Sequence, residues 1–164
     1  KSTTDKEAFT ADGEAFIKSN SESSYASLLA LSLAKEAATH KDWSKVQTQL
    51  NLAIEKAPTD GVKAIASLRL ARVQVQLEQY TEALATLAKP LPESFTAAIE
   101  EVKGDTFVLQ GNNDLARSAY QAAIAADGGA TNTTLQMKLD DLAQEIALPE
   151  PMIIETNLTE KSAN

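Results

Sequence analysis

The segment GDTFVLQGNNDLARSAYQAAIAADG, residues 104–128, sets a small residue, Gly104, three positions ahead of an aromatic, Phe107, and follows them with Ala116, Tyr120 and Ala123. Gly111-Asn112-Asn113-Asp114 is a dense turn signal between the two halves, so the segment reads as two helices folded back on each other. The pattern repeats upstream. The small residue of the first helix recurs at Ala34, Ala71 and Gly104, with offsets of 37 and 33. The mid-hairpin residue of the second helix recurs at Val46, Ala83 and Ala116, again with offsets of 37 and 33. Two landmarks sharing one irregular spacing define three registered copies, with the extra residues expected in the Pro58–Lys63 connection. Small residues are required at these points because paired helices approach most closely there.

A period near 34 residues, with a small residue and an aromatic on one helix and Ala, aromatic, Ala on the next, is the tetratricopeptide order. A single such hairpin cannot bury its apolar face, whereas stacked hairpins form a curved binding surface. The expected fold is therefore all-α, a tetratricopeptide-like solenoid of about three helical hairpins with an N-terminal helix and a C-terminal capping helix. Residues 1–23 are expected to hold one helix of a truncated hairpin. Residues 24–148 form the repeat domain with its cap, and 149–164 a mobile tail.

Helical spacing supports each piece. Tyr25, Leu28, Leu29, Leu31 and Leu33 lie on a helix running to about His40, and Trp43, Val46, Leu50 and Ile54 on the next, closed by Pro58. A third helix is expected from Gly61 to Gln79 and a fourth from Thr81 to about Ala88, where Pro90 and Pro92 stop it. The third hairpin spans Ser94–Asp127, and Thr133–Leu148 supplies the cap through Leu135, Met137, Leu139, Leu142 and Ile146. Upstream, Phe9, Phe16 and Ile17 on a helix over Lys6–Ile17 are expected to face Tyr25 and Leu28.

Composition narrows the function. The chain carries 15 basic and 23 acidic residues, a net charge of −8, which repels a phosphate backbone and argues against nucleic acid. With no cysteine, there is no disulfide, thiolate metal site or cysteine nucleophile. No apolar run approaches the roughly 20 residues needed to cross a bilayer. The start at Lys1 without methionine leads us to expect a processed or excised piece of a longer polypeptide.

No constellation of catalytic residues, cofactor loop or metal ligands stands out. His40, the single histidine, sits at a helix end beside Lys41 and Asp42 and suits a solvated, dipole-complementing role. Glu100-Glu101 and Asp140-Asp141 lack the alternating oxygen ligands of a calcium loop. Gly128-Gly129 is not followed by the lysine of a phosphate loop and ends a helix instead. The informative positions lie on the first helix of each hairpin, which lines the concave side of such solenoids. Lys35, Arg72 and Asp105 directly follow the register residues, and Val75, Gln76 and Val108 complete the expected partner-binding groove. Leu28, Leu31, Ile65, Leu68 and Glu101 also face that side, with the aliphatic members expected to serve chiefly as core.

Several segments resemble the YfgM family. They are Ala15–Ala34, the run Leu68-Arg69-Leu70-Ala71-Arg72-Val73-Gln74-Val75-Gln76-Leu77, Lys103-Gly104-Asp105 with Gly111 and Ala116-Arg117-Ser118-Ala119-Tyr120, and Gln136-Met137-Lys138-Leu139 with Asp141-Leu142. The resemblance covers roughly Ala15–Leu142. It implies the periplasmic tetratricopeptide-like domain of a single-pass inner-membrane protein of Gram-negative bacteria, an ancillary subunit of the SecYEG translocon. The implied partners are SecYEG, the membrane-anchored chaperone PpiD and emerging polypeptides, with a proposed link to stress signalling through the Rcs response regulator. The chain departs from that pattern in lacking the membrane segment and the first repeat helix, and in its tail, Pro149–Asn164. Without the resemblance, the same repeats fit a cytoplasmic peptide-binding adaptor or a regulatory part of a larger enzyme.

Overall fold

A computed structural model describes residues 3–21, 23–128 and 132–146. Among them are eight α-helices and no strand: α1 Thr3–Ser19, α2 Ser24–Thr39, α3 Trp43–Glu55, α4 Asp60–Gln76, α5 Tyr80–Leu87, α6 Thr96–Leu109, α7 Asn113–Ala126 and α8 Thr133–Ile146. A 3-10 turn, Glu93–Phe95, leads into α6. The expected tail 149–164 lies outside the described residues.

Three hairpins form, α2–α3, α4–α5 and α6–α7, and the register residues lie inside them. Ala34, Ala71 and Gly104 are all buried, as are Val46, Ala83 and Ala116 opposite them. The third crossing is the tightest. A Cβ on Gly104 would lie 2.3 Å from Tyr120 Cε1, inside any permitted contact, so the aromatic ring occupies the space a side chain would need. Hairpins stack through α3 on α4 and through α6 on both α4 and α5, while α8 closes the last apolar face over α7. The core follows this order as overlapping clusters. Leu33, Ala53 and Ala66 share one, and Leu68, Ala83, Ile99 and Val102 another. Tyr120, Leu135 and Leu142 belong to the cluster under the cap.

The turns inside the hairpins share one geometry. Lys41, Glu78 and Gly111 all have positive φ, at 57°, 60° and 74°, and they stand 37 and 33 residues apart like the other landmarks. Around each, the N–H two residues past the cap reaches back to the helix: Asp42 to Ala37, Gln79 to Gln74 and Asn112 to Phe107. These are Schellman closures, which satisfy carbonyls orphaned at a helix end. Only the third copy uses glycine, so only that one announces itself in sequence. α4, expected to run from Gly61 to Gln79, accordingly spans Asp60–Gln76, and α5 starts at Tyr80 rather than Thr81, with Gln79 at its cap.

Two further expectations are corrected. The link between α3 and α4 is short, Lys56–Thr59, and the wider spacing of the first two copies comes from helix length. α3 has 13 residues against 8 in α5, which Pro90 and Pro92 cut early, and α4 has 17 against 14 in α6; the longer connection after α5, residues 88–95, takes back part of that difference. In α1, Ile17 is buried with Ala26, Ala30 and Leu33, but Phe9 and Phe16 stay over 40% exposed, and so does Tyr25. The contact with α2 instead runs through Gly13, whose added Cβ would meet Leu33 Cδ2 at 3.1 Å.

Gly104→Ala should destabilise the domain by about 1–3 kcal/mol, the usual cost of overpacking. Gly61→Ala, where the new Cβ meets only Thr59 Oγ1 at 3.9 Å, should be neutral or stabilise α4 by up to about 1 kcal/mol; urea denaturation measures both. At the turns, relief of left-handed strain worth about 1–2 kcal/mol exceeds the flexibility cost of glycine, about 0.5–1 kcal/mol. Glu78→Gly should therefore raise the urea midpoint, and Gly111→Ala should lower it.

Candidate protein-binding surface

Each first helix leaves one stripe open to solvent. On α2 the exposed positions Tyr25, Leu28, Ser32, Lys35 and Thr39 step by three or four residues. On α4 they are Ile65, Arg69, Arg72 and Gln76. On α6, Val108 is exposed while Glu101 and Asp105 are half-buried. The structure thus places Lys35, Arg72 and Gln76 in the open. Val75 is half-buried against the Leu68–Ala71–Val102 cluster. Leu68 is itself core and Leu31 half-buried, leaving Leu28 and Ile65 as the exposed aliphatics. Arg69 and Ser32 lie on the same stripes but do not follow a register residue. The three-residue spacing from Arg72, and from Lys35, is the signal that would have found them.

The charges on this side fall into two zones. Among the described residues, Lys35, Arg69 and Arg72 have no ion pair or side-chain hydrogen bond. Asp105, in contrast, is engaged through Oδ1. It accepts a bond from the Tyr120 hydroxyl at 2.7 Å and another from Lys138 Nζ at 2.7 Å, and Lys138 reaches Glu101 at 2.9 Å as well. The ammonium also stands 5.6 Å from the centre of the Tyr120 ring. Burial pushes the Tyr120 hydroxyl far above its ordinary pKa, and the bond to Asp105 and the two nearby carboxylates push it further. For Lys138 burial works against the charged form, but the bonds to Asp105 and Glu101 outweigh it and the net shift is upward. Asp105 therefore ties α6, α7 and α8 together.

A second concavity of about 400 Å³ lies between α5, α6 and α7, lined by Leu84, Phe107, Leu115 and Ala119 with the Glu100–Lys103 ion pair and Ser118. His40 pairs only loosely with Glu36, at 3.3 Å, and its side chain is more than half exposed. Among the described residues no group of three or more histidine or acidic side chains is placed to hold a metal ion. No described helix is long and apolar enough to cross a membrane.

A tetratricopeptide repeat-like domain model matches residues 1–144. The chain is 33% identical over 138 residues to an ancillary SecYEG translocon subunit of Haemophilus influenzae, covering 84% of this chain and 68% of that protein. It is 33% identical over 120 residues to the subunit of the same name from Escherichia coli, covering 73% and 58%. To the one from Aggregatibacter actinomycetemcomitans it is 32% identical, covering 77% and 62%. The chain thus spans roughly three fifths to two thirds of the length of these relatives.

The Tyr120–Asp105–Lys138 network sets an alkaline limit. Both proton donors hold their protons more tightly in the folded chain than in the unfolded one. Their contribution is complete below the ordinary tyrosine and lysine values of 10.0 and 10.5 and is lost as pH rises through the raised folded values. The urea midpoint should be set by other groups below pH 10 and fall above it. Tyr120→Phe should cost about 1 kcal/mol at neutral pH, the usual worth of a lost side-chain hydrogen bond, and should flatten part of the alkaline fall.

Proposed function

The chain belongs to the family of ancillary SecYEG translocon subunits and carries their tetratricopeptide repeat-like domain, and on that premise we propose that it is a non-catalytic protein-binding domain acting beside the Sec translocon. We place it at the periplasmic face of the inner membrane, held there by a segment of the parent protein. Its partners would be SecYEG, the chaperone PpiD and polypeptides emerging from the channel. No cofactor or metal has a part in this reading. The observation that carries it is the open face of α2, α4 and α6, where exposed cations and aliphatic side chains lie on helices whose other faces are packed.

In this reading the groove is formed by Lys35, Arg72, Val75, Gln76, Asp105 and Val108, with unequal roles. Lys35, Arg72 and Gln76 are free to meet a partner, and Val108 offers apolar area at 39% exposure. Val75 and Asp105 contribute by fixing α4 against α6 and α6 against α8. Scattered repeat surfaces of this kind bind by shape and charge and have no need of a reactive group.

Arg72→Glu combined with Lys35→Glu in the full-length protein should reduce co-purification with SecYEG severalfold while leaving the urea midpoint within about 0.5 kcal/mol of the parent, as expected for exposed positions. Unchanged recovery of the translocon would assign the contact to another surface.

A further inference from the structure

α4 is cationic within an acidic chain. Its sequence, DGVKAIASLRLARVQVQ, holds three basic residues and one acidic residue, and that acid, Asp60, sits at the N-terminus where it complements the helix dipole. The chain as a whole carries −8. Arg69 and Arg72 are three residues apart on the exposed stripe, and no carboxylate lies three or four residues from either along the helix. Such like-charged neighbours mildly destabilise an isolated helix. Among the described residues Lys45 is paired with Glu14, Lys103 with Glu100, Arg117 with Asp114 and Lys138 with Asp105, whereas Lys18, Lys41 and Lys89 stand singly; what sets α4 apart is two unpaired guanidinium groups three residues apart on one exposed stripe. Here the repulsion is left unrelieved, with Leu28 of α2 and Ile65 of α4 also exposed.

Resting on the reading of this face as a protein-binding groove, we infer that α2 and α4 bind an acidic, amphipathic segment of a partner protein, its carboxylates bonded to Arg69 and Arg72 with Lys35 assisting, its apolar residues on Leu28 and Ile65. Side chains three residues apart on a helix have Cβ atoms about 5–6 Å apart, a spacing that two carboxylates of one segment can match. Each guanidinium presents a planar fork to a carboxylate, a two-bond geometry that lysine does not offer. Charge complementarity selects the occupant. An anionic bilayer or a nucleic acid would have to approach the whole acidic domain, whereas a short segment meets only the cationic stripe. Gln76 extends the stripe as a neutral donor and acceptor.

The probe is a fluorescently labelled peptide of Leu-Glu-Glu-Leu repeats, titrated with the domain and followed by anisotropy. Its Leu-Gln-Gln-Leu counterpart serves as the uncharged control. We expect the acidic peptide to bind at least about tenfold more tightly than the control and to weaken as salt shortens the Debye length from about 10 Å at 0.1 M to about 3 Å at 1 M. Arg69→Glu with Arg72→Glu should weaken it about tenfold or more. Lys18→Glu with Lys89→Glu, which changes net charge equally on exposed positions outside α2 and α4, should leave it within about twofold. Equal binding of both peptides, or equal effects of the two double variants, would overturn the inference. So would saturable, arginine-dependent binding to phosphatidylglycerol vesicles without binding to the peptide. Co-purification of the full-length protein with SecYEG is read separately: if it persists while the acidic peptide fails, the partner chemistry is wrong and the translocon role stands.

Discussion

Everything in this molecule depends on how closely two helices of a hairpin can approach. Helix axes come near each other only where side chains are small, and the three crossings are made by Ala34 with Val46, Ala71 with Ala83, and Gly104 with Ala116 and Tyr120. At the third, the tyrosine ring lies where a Cβ would be. That approach buries the ring and brings its hydroxyl out beside Asp105, so the polar tie to α8 follows from the packing. The tightest apolar contact and the densest polar network are thus two ends of one side chain. A substitution at Gly104 would strain the packing of α6 on α7 and also displace the anchor for the capping helix.

The hairpins were legible from the sequence because their constraint is local and periodic. Two sets of residues at equal offsets fell on buried positions of all three hairpins. The turn residue obeyed the same offsets but stayed hidden in two copies, since Lys41 and Glu78 do the work that Gly111 does openly. A left-handed residue is visible in sequence only when glycine supplies it. Helix lengths were harder to read for a related reason. The prolines that shorten α5 were recognised, yet their effect on spacing was assigned to a loop, because offsets report total length and not how it is divided. α1 was misjudged at its interface: aromatic residues suggested the contact, but Gly13 and Ile17 make it, and Phe9 and Phe16 remain largely exposed.

The surface was legible in part. Counting from the register found Lys35, Arg72, Gln76 and Val108 on the open side, as it had to, since the position after a buried helical residue turns about 100° toward solvent. It missed Arg69, which lies one turn further back, and it placed Asp105 in the groove without its partners. Those partners come from α7 and α8, 15 and 33 residues away in sequence. No local pattern predicts such a tertiary bond. The consequence is chemical: Lys138 offsets one of the two carboxylate charges of Asp105 and Glu101 and engages both, so the α6 end of the face stays weakly acidic with its carboxylates occupied, and the α4 end keeps its positive charge.

The position of the arginines in the fold adds to their effect. α4 packs on α3, α5 and α6, and its buried residues run from Ala64 to Ala71 on the faces turned away from the stripe. Arg69 and Arg72 are therefore mounted on a backbone braced from three sides. A partner ordering these two side chains has to offset their rotamer entropy but not the ordering of the helix beneath them. α1 is the opposite case. Among its described residues only Gly13 and Ile17 are buried, and its exposed aromatics ride on a helix packed on α2, with the Lys45–Glu14 pair adding about 0.2–1 kcal/mol at most. Equal exposed areas on α1 and α4 would not bind equally. The braced helix loses less freedom on association, and a recognition surface is best built there.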